Sequence, residues 1–138
     1  MYDHEIGGQR VLSGNEAAVE TQVLRGIVED GTATMLHDLD GKIGYPSAGK
    51  TGTTDNFAEA WYFGYTPRLC TSVWVGYPEG RKSLVDVHGV LEPNGGTFPM
   101  DIWSNYMAEA TQGDLSLEFP EADKSDLDAL RGDYSSGF

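Results

Sequence analysis

Three stretches of this chain have strand character, and the connections between them are too short to carry the chain across a sheet. Ala48 to Thr54 has an extended pattern, and Asp55 to Glu59 links it to Ala60-Trp61-Tyr62-Phe63-Gly64-Tyr65. Only the turn around Thr66-Pro67 precedes the run Leu69 to Tyr77. Parallel neighbours need a crossover of about a dozen residues or more, whereas a few residues join antiparallel ones. The spacing therefore predicts an antiparallel sheet of three or more strands. In the last run Leu69, Thr71, Val73, Val75 and Tyr77 share one face, with Cys70, Ser72, Trp74 and Gly76 on the other. That pattern predicts cover on both faces. The aromatic ladder from Trp61 to Tyr65 is expected to be sheet packing.

Helical signals flank these runs. Ser13 and Glu16 form a capping box, in which each side chain satisfies a free N–H at the start of a helix. Val19, Val23, Leu24, Ile27 and Val28 then recur at helical spacing, and Gly31 is placed to end the helix. Farther on, Pro99 suits a first helical turn, Asp101 complements its dipole, and Ile102, Trp103, Tyr106, Met107 and Ala110 form an apolar stripe. The predicted class is α+β, an antiparallel sheet flanked by helices. Between these elements, Met1 to Leu12 is an edge strand or extended lead-in, and Gly31 to Pro46 and Pro78 to Gly96 are loops. The boundaries expected are a folded part at 1–113 and an acidic, disordered tail at 114–138, where apolar residues are too few for independent folding.

A chain of 138 residues is one domain at most, with room for a sizeable core. Its formal charge of −13 argues against nucleic acid and anionic membrane surfaces as partners. The sequence shows no apolar run long enough for a membrane span and no secretion leader. A single cysteine, Cys70, excludes an internal disulfide and a cysteine-based metal cluster, and its strand pattern predicts a small buried side chain. His37, Asp38 and Asp40 lie too close in sequence to converge on a metal without a defined turn, so neither a metal nor another cofactor is expected.

The chemistry gathers at Ala48-Gly49-Lys50-Thr51-Gly52-Thr53-Thr54. On a strand Lys50 and Gly52 point one way, Thr51 and Thr53 the other. Lysine lowers the cost of negative charge in a site, and glycine lets another backbone lie close. The stretch suits an extended, anionic peptide. Gly44 to Thr51 also matches G-x-x-x-x-G-K-[ST], the phosphate loop of nucleotide hydrolases. That loop needs a buried parallel strand before it and a helix after it. Thr34 to Ile43 is broken by His37, Asp38, Asp40, Gly41 and Lys42, and Gly52 to Asn56 makes a poor first helical turn.

Taken in order, Leu24 to Ala33, Ala48 to Thr54, Trp61 to Pro67, Val73 to Tyr77 and Pro99 to Met107 make the chain similar to the C-terminal part of the transpeptidase domain of class A penicillin-binding proteins. The resemblance implies a serine β-lactamase/D,D-transpeptidase-like fold and an acyl-enzyme on a serine in S-x-x-K, with K-T-G forming one wall of the site. It implies that Lys50 holds positive charge near that serine, and that Thr51 and Thr53 hold the terminal carboxylate of a D-alanyl-D-alanine peptide or a β-lactam. The Thr53 N–H would be an oxyanion donor, and Gly52 would leave room for substrate. Ser47-x-x-Lys50 and Ser13-x-Asn15 match two family motifs in form only, since strand geometry separates the first pair and Ser13 is better used as a cap. The reacting serine is therefore expected outside this sequence, in the remainder of the domain, and this chain alone is expected to be inactive. The family works at the extracytoplasmic face of the bacterial cytoplasmic membrane. Two other classes stay open at this point, a nucleotide-binding module built on Gly44 to Thr51 and a non-catalytic cell-wall interaction domain using the acidic tail.

Overall fold

The computed structural model describes residues 8–29, 43, 46–112 and 118–132. Its centre is an antiparallel sheet in the order β1-β2-β3, formed by Ala48–Thr53, Glu59–Tyr65 and Cys70–Gly76. Thr54 closes the first connection through its N–H to the Glu59 carbonyl at 3.1 Å and its hydroxyl, which accepts the Glu59 N–H at 3.0 Å. Thr66 closes the second in the same style, donating its N–H to the Leu69 carbonyl at 2.9 Å and accepting the Leu69 N–H at 3.2 Å. These short, side-chain-assisted turns connect strands in a defined register. Lys50 pairs with Phe63 and Phe63 with Ser72, while Gly52, Trp61 and Trp74 form the next row.

Helix α1 (Gly14–Glu29) lies against β1, and helix α2 (Phe98–Ala110) lies against β2 and β3. The capping box forms as expected. The Ser13 N–H donates to Glu16 Oε2 at 2.6 Å, and the Glu16 N–H donates to Ser13 Oγ at 3.2 Å. The Ser13 backbone N–H, and after it the Ser13 hydroxyl, hold the Glu16 carboxyl below the ordinary glutamate range. Asn94 and Thr97 prepare the start of α2, with the Asn94 N–H donating to Thr97 Oγ1 at 3.0 Å and the Gly96 N–H to Asn94 Oδ1 at 2.8 Å.

The core lies between α2 and the face of the sheet that carries Tyr62. Tyr62, Met100, Trp103 and Met107 are fully buried and join Val28 and Ile43 in one cluster, with Val73 and Leu69 beside it. Each large apolar side chain so removed from water contributes roughly 1.5–3 kcal/mol. Tyr62 and Trp103 meet edge to face at 5.3 Å, and Trp103 Nε1 donates to the Gly64 carbonyl at 3.2 Å. Gly64 permits this approach, because a Cβ there would sit 2.6 Å from the Trp103 ring.

Three expectations are corrected. The buried stripe of α2 is Met100, Trp103, Ser104 and Met107, whereas Ile102 and Tyr106 are about half exposed. The helix is rotated so that Trp103 fills the space over Gly64. Cys70 is exposed, not buried, since it sits at the first position of β3 on the face away from α2. On that same face Tyr65 is covered by Thr21 of α1 and by Phe119, whereas the patch around Trp61 and Phe63 is only partly covered by the described residues. Trp61 and Phe63 stack at 5.4 Å, Trp74 leans on Trp61 at 6.1 Å, yet Phe63 is 50% and Trp74 39% exposed. Period-two alternation assigns residues to a face without saying what lies over it.

Within the acidic stretch expected to lack structure, Lys124–Gly132 forms helix α3. Its leading residues fold back on α1. Asn15 donates to Asp126 Oδ2 at 2.5 Å and accepts the Asp123 N–H at 2.8 Å, while Phe119 meets Tyr65 edge to face at 5.6 Å. The loop readings for residues 31–42, including His37, Asp38 and Asp40, fall outside the described residues. No helix among the described residues is long and apolar enough to cross a membrane.

Candidate functional site on the edge strand

The K-T-G-T residues occupy β1, the edge strand of the sheet among the described residues. Antiparallel ladders alternate between residues that bond inward and residues whose backbone groups point outward. The Thr54 N–H bonds inward to the Glu59 carbonyl at 3.1 Å, so stepping back by two places Gly52 and Lys50 on the inward-bonding positions. Thr51 and Thr53 then present their N–H and C=O groups to the free edge. An extended peptide can add to such an edge as a further strand.

Side chains follow the opposite bookkeeping of faces. Lys50 and Gly52 share the face of Phe63, Trp61 and Trp74, while Thr51 and Thr53 share the face of Tyr62 and Val73. Lys50 is exposed and curls round the edge, where Nζ donates to the Thr51 carbonyl at 2.9 Å and touches Thr51 Oγ1 at 3.5 Å. Those contacts use two of its three ammonium donors among the described residues. Gly52 fits tightly, since a Cβ there would come 3.3 Å from the Trp61 Cβ. Gly49 lets the buried Tyr62 ring lie against β1, for its Cβ would lie 2.5 Å from the Tyr62 hydroxyl. Thr53 Oγ1 accepts the Gly95 N–H at 3.3 Å.

The structure thus brings Lys50, Thr51, Gly52 and Thr53 together on one accessible strand edge with a cation beside outward-facing amides. Ser47 is buried just ahead of the strand, so no S-x-x-K pair forms with the exposed Lys50. Ser13 and Asn15 are engaged at the start of α1 as cap and as anchor for residues 123–126. The nucleotide reading fails on the same geometry. A phosphate loop passes from a parallel strand into a helix, but Lys50 and Thr51 lie inside an antiparallel strand. Two features escape the sequence, the tie from Gly95 to Thr53 and the seating of Phe119 on Tyr65. Both join residues more than 40 positions apart, and no local pattern marks either partner.

An antiparallel sheet with helices packed on it and a K-T-G edge strand defines a serine β-lactamase/D,D-transpeptidase-like domain. No family model matches the chain. Penicillin-binding protein 1A of Aquifex aeolicus is 38% identical over 104 residues, which is 75% of this chain and 13% of that protein. The structure of penicillin-binding protein PonA1 from Mycobacterium tuberculosis superposes on 78% of this chain and 28% of its own, with a TM-score of 0.63 and 38% identity. PonA1 in complex with penicillin V matches the same shares with a TM-score of 0.62 and 34% identity. The chain therefore belongs with the class A penicillin-binding proteins, as a part of their transpeptidase domain. It spans a small fraction of the length of these relatives.

Proposed function

We propose that this chain supplies the K-T-G wall of a peptidoglycan D,D-transpeptidase that binds β-lactams and peptides ending in D-Ala-D-Ala. The observation that carries the reading is the free edge of β1, where Lys50 lies beside the outward backbone of Thr51 and Thr53. The likeness to PonA1, solved with penicillin V, supports it. The reacting serine is supplied by residues outside this sequence. Its oxygen bonds to the substrate carbonyl carbon, the C–N bond breaks, and the leaving amine takes up the serine proton. Lys50 favours the hydroxyl's deprotonation through its charge, and the Thr53 N–H receives the carbonyl oxygen as it becomes negative. The hydroxyls of Thr51 and Thr53 hold the substrate carboxylate, and Gly52 leaves space for its backbone.

The partly covered patch of Trp61, Phe63 and Trp74 beside Lys50 is where the remainder of the transpeptidase domain packs, since folded proteins rarely leave so large an apolar patch uncovered. The unit at 1–113 belongs to that domain, and the acidic stretch at 114–138 meets it through Phe119 on Tyr65 and residues 123–126 on Asn15. Neither a metal nor another cofactor takes part, and nucleic acid is not a partner. The site works at the extracytoplasmic face of the bacterial cytoplasmic membrane, without membrane contact from this chain. Fluorescent penicillin tests the reading. A polypeptide that joins this chain to a serine-bearing upstream part should take up about one label per molecule, and this chain alone none. Stoichiometric labelling of this chain alone would overturn the assignment of the serine, and absence of labelling in the joined protein would overturn the function.

A further inference from the structure

On the face of β1 opposite Lys50, the loop before α2 presses on the strand at one residue. A Cβ on Gly95 would overlap the Trp61 carbonyl oxygen and stand 2.8 Å from Thr51 Cβ and 2.9 Å from the Gly52 nitrogen. Those atoms belong to the row where Gly52 faces Trp61, so the buried Gly95 sits directly over the ladder that carries the K-T-G residues. Its N–H reaches Thr53 Oγ1 at 3.3 Å. The loop is itself held, because Asn94 and Thr97 bond to each other at 3.0 Å and 2.6 Å and the Gly96 N–H is tied to Asn94 at 2.8 Å.

We infer that Gly95 is a positioning residue that acts through Thr53. A threonine hydroxyl has one proton to give and lone pairs to receive. With a lone pair taken by the Gly95 amide, the Thr53 proton is turned outward, and the exposed hydroxyl becomes a donor at the free edge. A fixed donor favours an anionic or carbonyl oxygen over another donor, so Gly95 sets the polarity that the strand offers to its ligand. Only glycine serves here, since any side chain would push the loop off β1 and take the amide out of reach. The consequence for ligand binding rests on the transpeptidase reading, whereas the control of the Thr53 side chain does not.

The first experiment needs no ligand. In this chain, three-bond couplings to the Thr53 methyl should report one χ1 rotamer, and Gly95→Ala should give averaged couplings. The same single rotamer in the folded variant would overturn the inference. If Gly95→Ala fails to fold, Thr53→Val replaces it: removing the acceptor should speed hydrogen exchange of the Gly95 amide about three- to tenfold, the usual worth of one such bond. Unchanged exchange would likewise overturn it. The second experiment measures acylation by penicillin V in the serine-supplying protein. Thr53→Val and Gly95→Ala should each slow acylation, and the double variant should be no slower than Thr53→Val alone. Multiplying losses would show that Gly95 acts independently of Thr53 and would contradict the inference. If the unsubstituted protein is not acylated, the transpeptidase reading fails while the rotamer and exchange results still decide the role of Gly95.

Discussion

Replacing Gly64 by alanine tests the packing that fixes the sheet on α2. The added Cβ would lie 2.6 Å and 2.7 Å from two atoms of the Trp103 ring and 2.7 Å from the Tyr62 ring. Both rings are fully buried and lock each other edge to face, so neither can swing aside. Overpacking of this kind costs about 1–3 kcal/mol. Pushing Trp103 away also stretches its 3.2 Å bond to the Gly64 carbonyl, adding about 1 kcal/mol. The sum is about 2–4 kcal/mol, which for a chain of this size lowers Tm by roughly 6–16 °C. Urea unfolding followed by tryptophan fluorescence gives the free energy, with thermal melts beside it. Gly26→Ala is the control, because nothing lies within 4 Å of a Cβ in the middle of α1 and the change should stabilise by about 0.5–1 kcal/mol. A Gly64→Ala chain as stable as the unsubstituted one would refute the placement of Trp103 over β2.

Other outcomes follow from single contacts. Gly52→Ala should fold normally, with Trp61 giving by a few tenths of an ångström, yet slow acylation in the serine-supplying protein because the new methyl lies on the Lys50 face. Glu16→Gln should lower Tm at neutral pH. Since Ser13 holds the Glu16 carboxyl below its ordinary range, the stabilisation is present above the unfolded-state pKa and fades as pH falls through the folded one. The gap between the two melting curves should therefore close on acidification, and a constant gap would contradict the capping box. Cys70 should react with a thiol reagent in the native state at nearly the unfolded rate. Phe119→Ala should cost about 0.5–1.5 kcal/mol, the worth of an aromatic pair, and speed amide exchange in β2 near Tyr65.

Features set by neighbours in sequence were legible before any coordinates. The capping box names its own partners, and short connections forced antiparallel pairing of the strands. Alternation then put Lys50 and Gly52 on one face with Thr51 and Thr53 on the other, as β1 has them. What escaped depends on partners far along the chain. Trp103 seats over the bare backbone of Gly64, and Met100 is buried while Ile102 is half exposed although both residues satisfy helical periodicity equally. Cys70 is exposed at the first position of β3, and composition carries no trace of that. For the candidate site, the residue types were readable, but the outward turn of the Thr51 and Thr53 backbone required the Thr54 to Glu59 bond to set the phase of the ladder.

The most direct test of the account is the role of Lys50. In the protein that supplies the serine, the second-order rate of acylation by penicillin V should fall on the order of a hundredfold in Lys50→Ala, the scale expected when a preorganised charge is removed. Lys82→Ala, which removes an equally exposed lysine from the ring of Tyr77, should leave the rate unchanged. Equal rates for Lys50→Ala and the unsubstituted protein would contradict the assignment of β1 as the wall of the site.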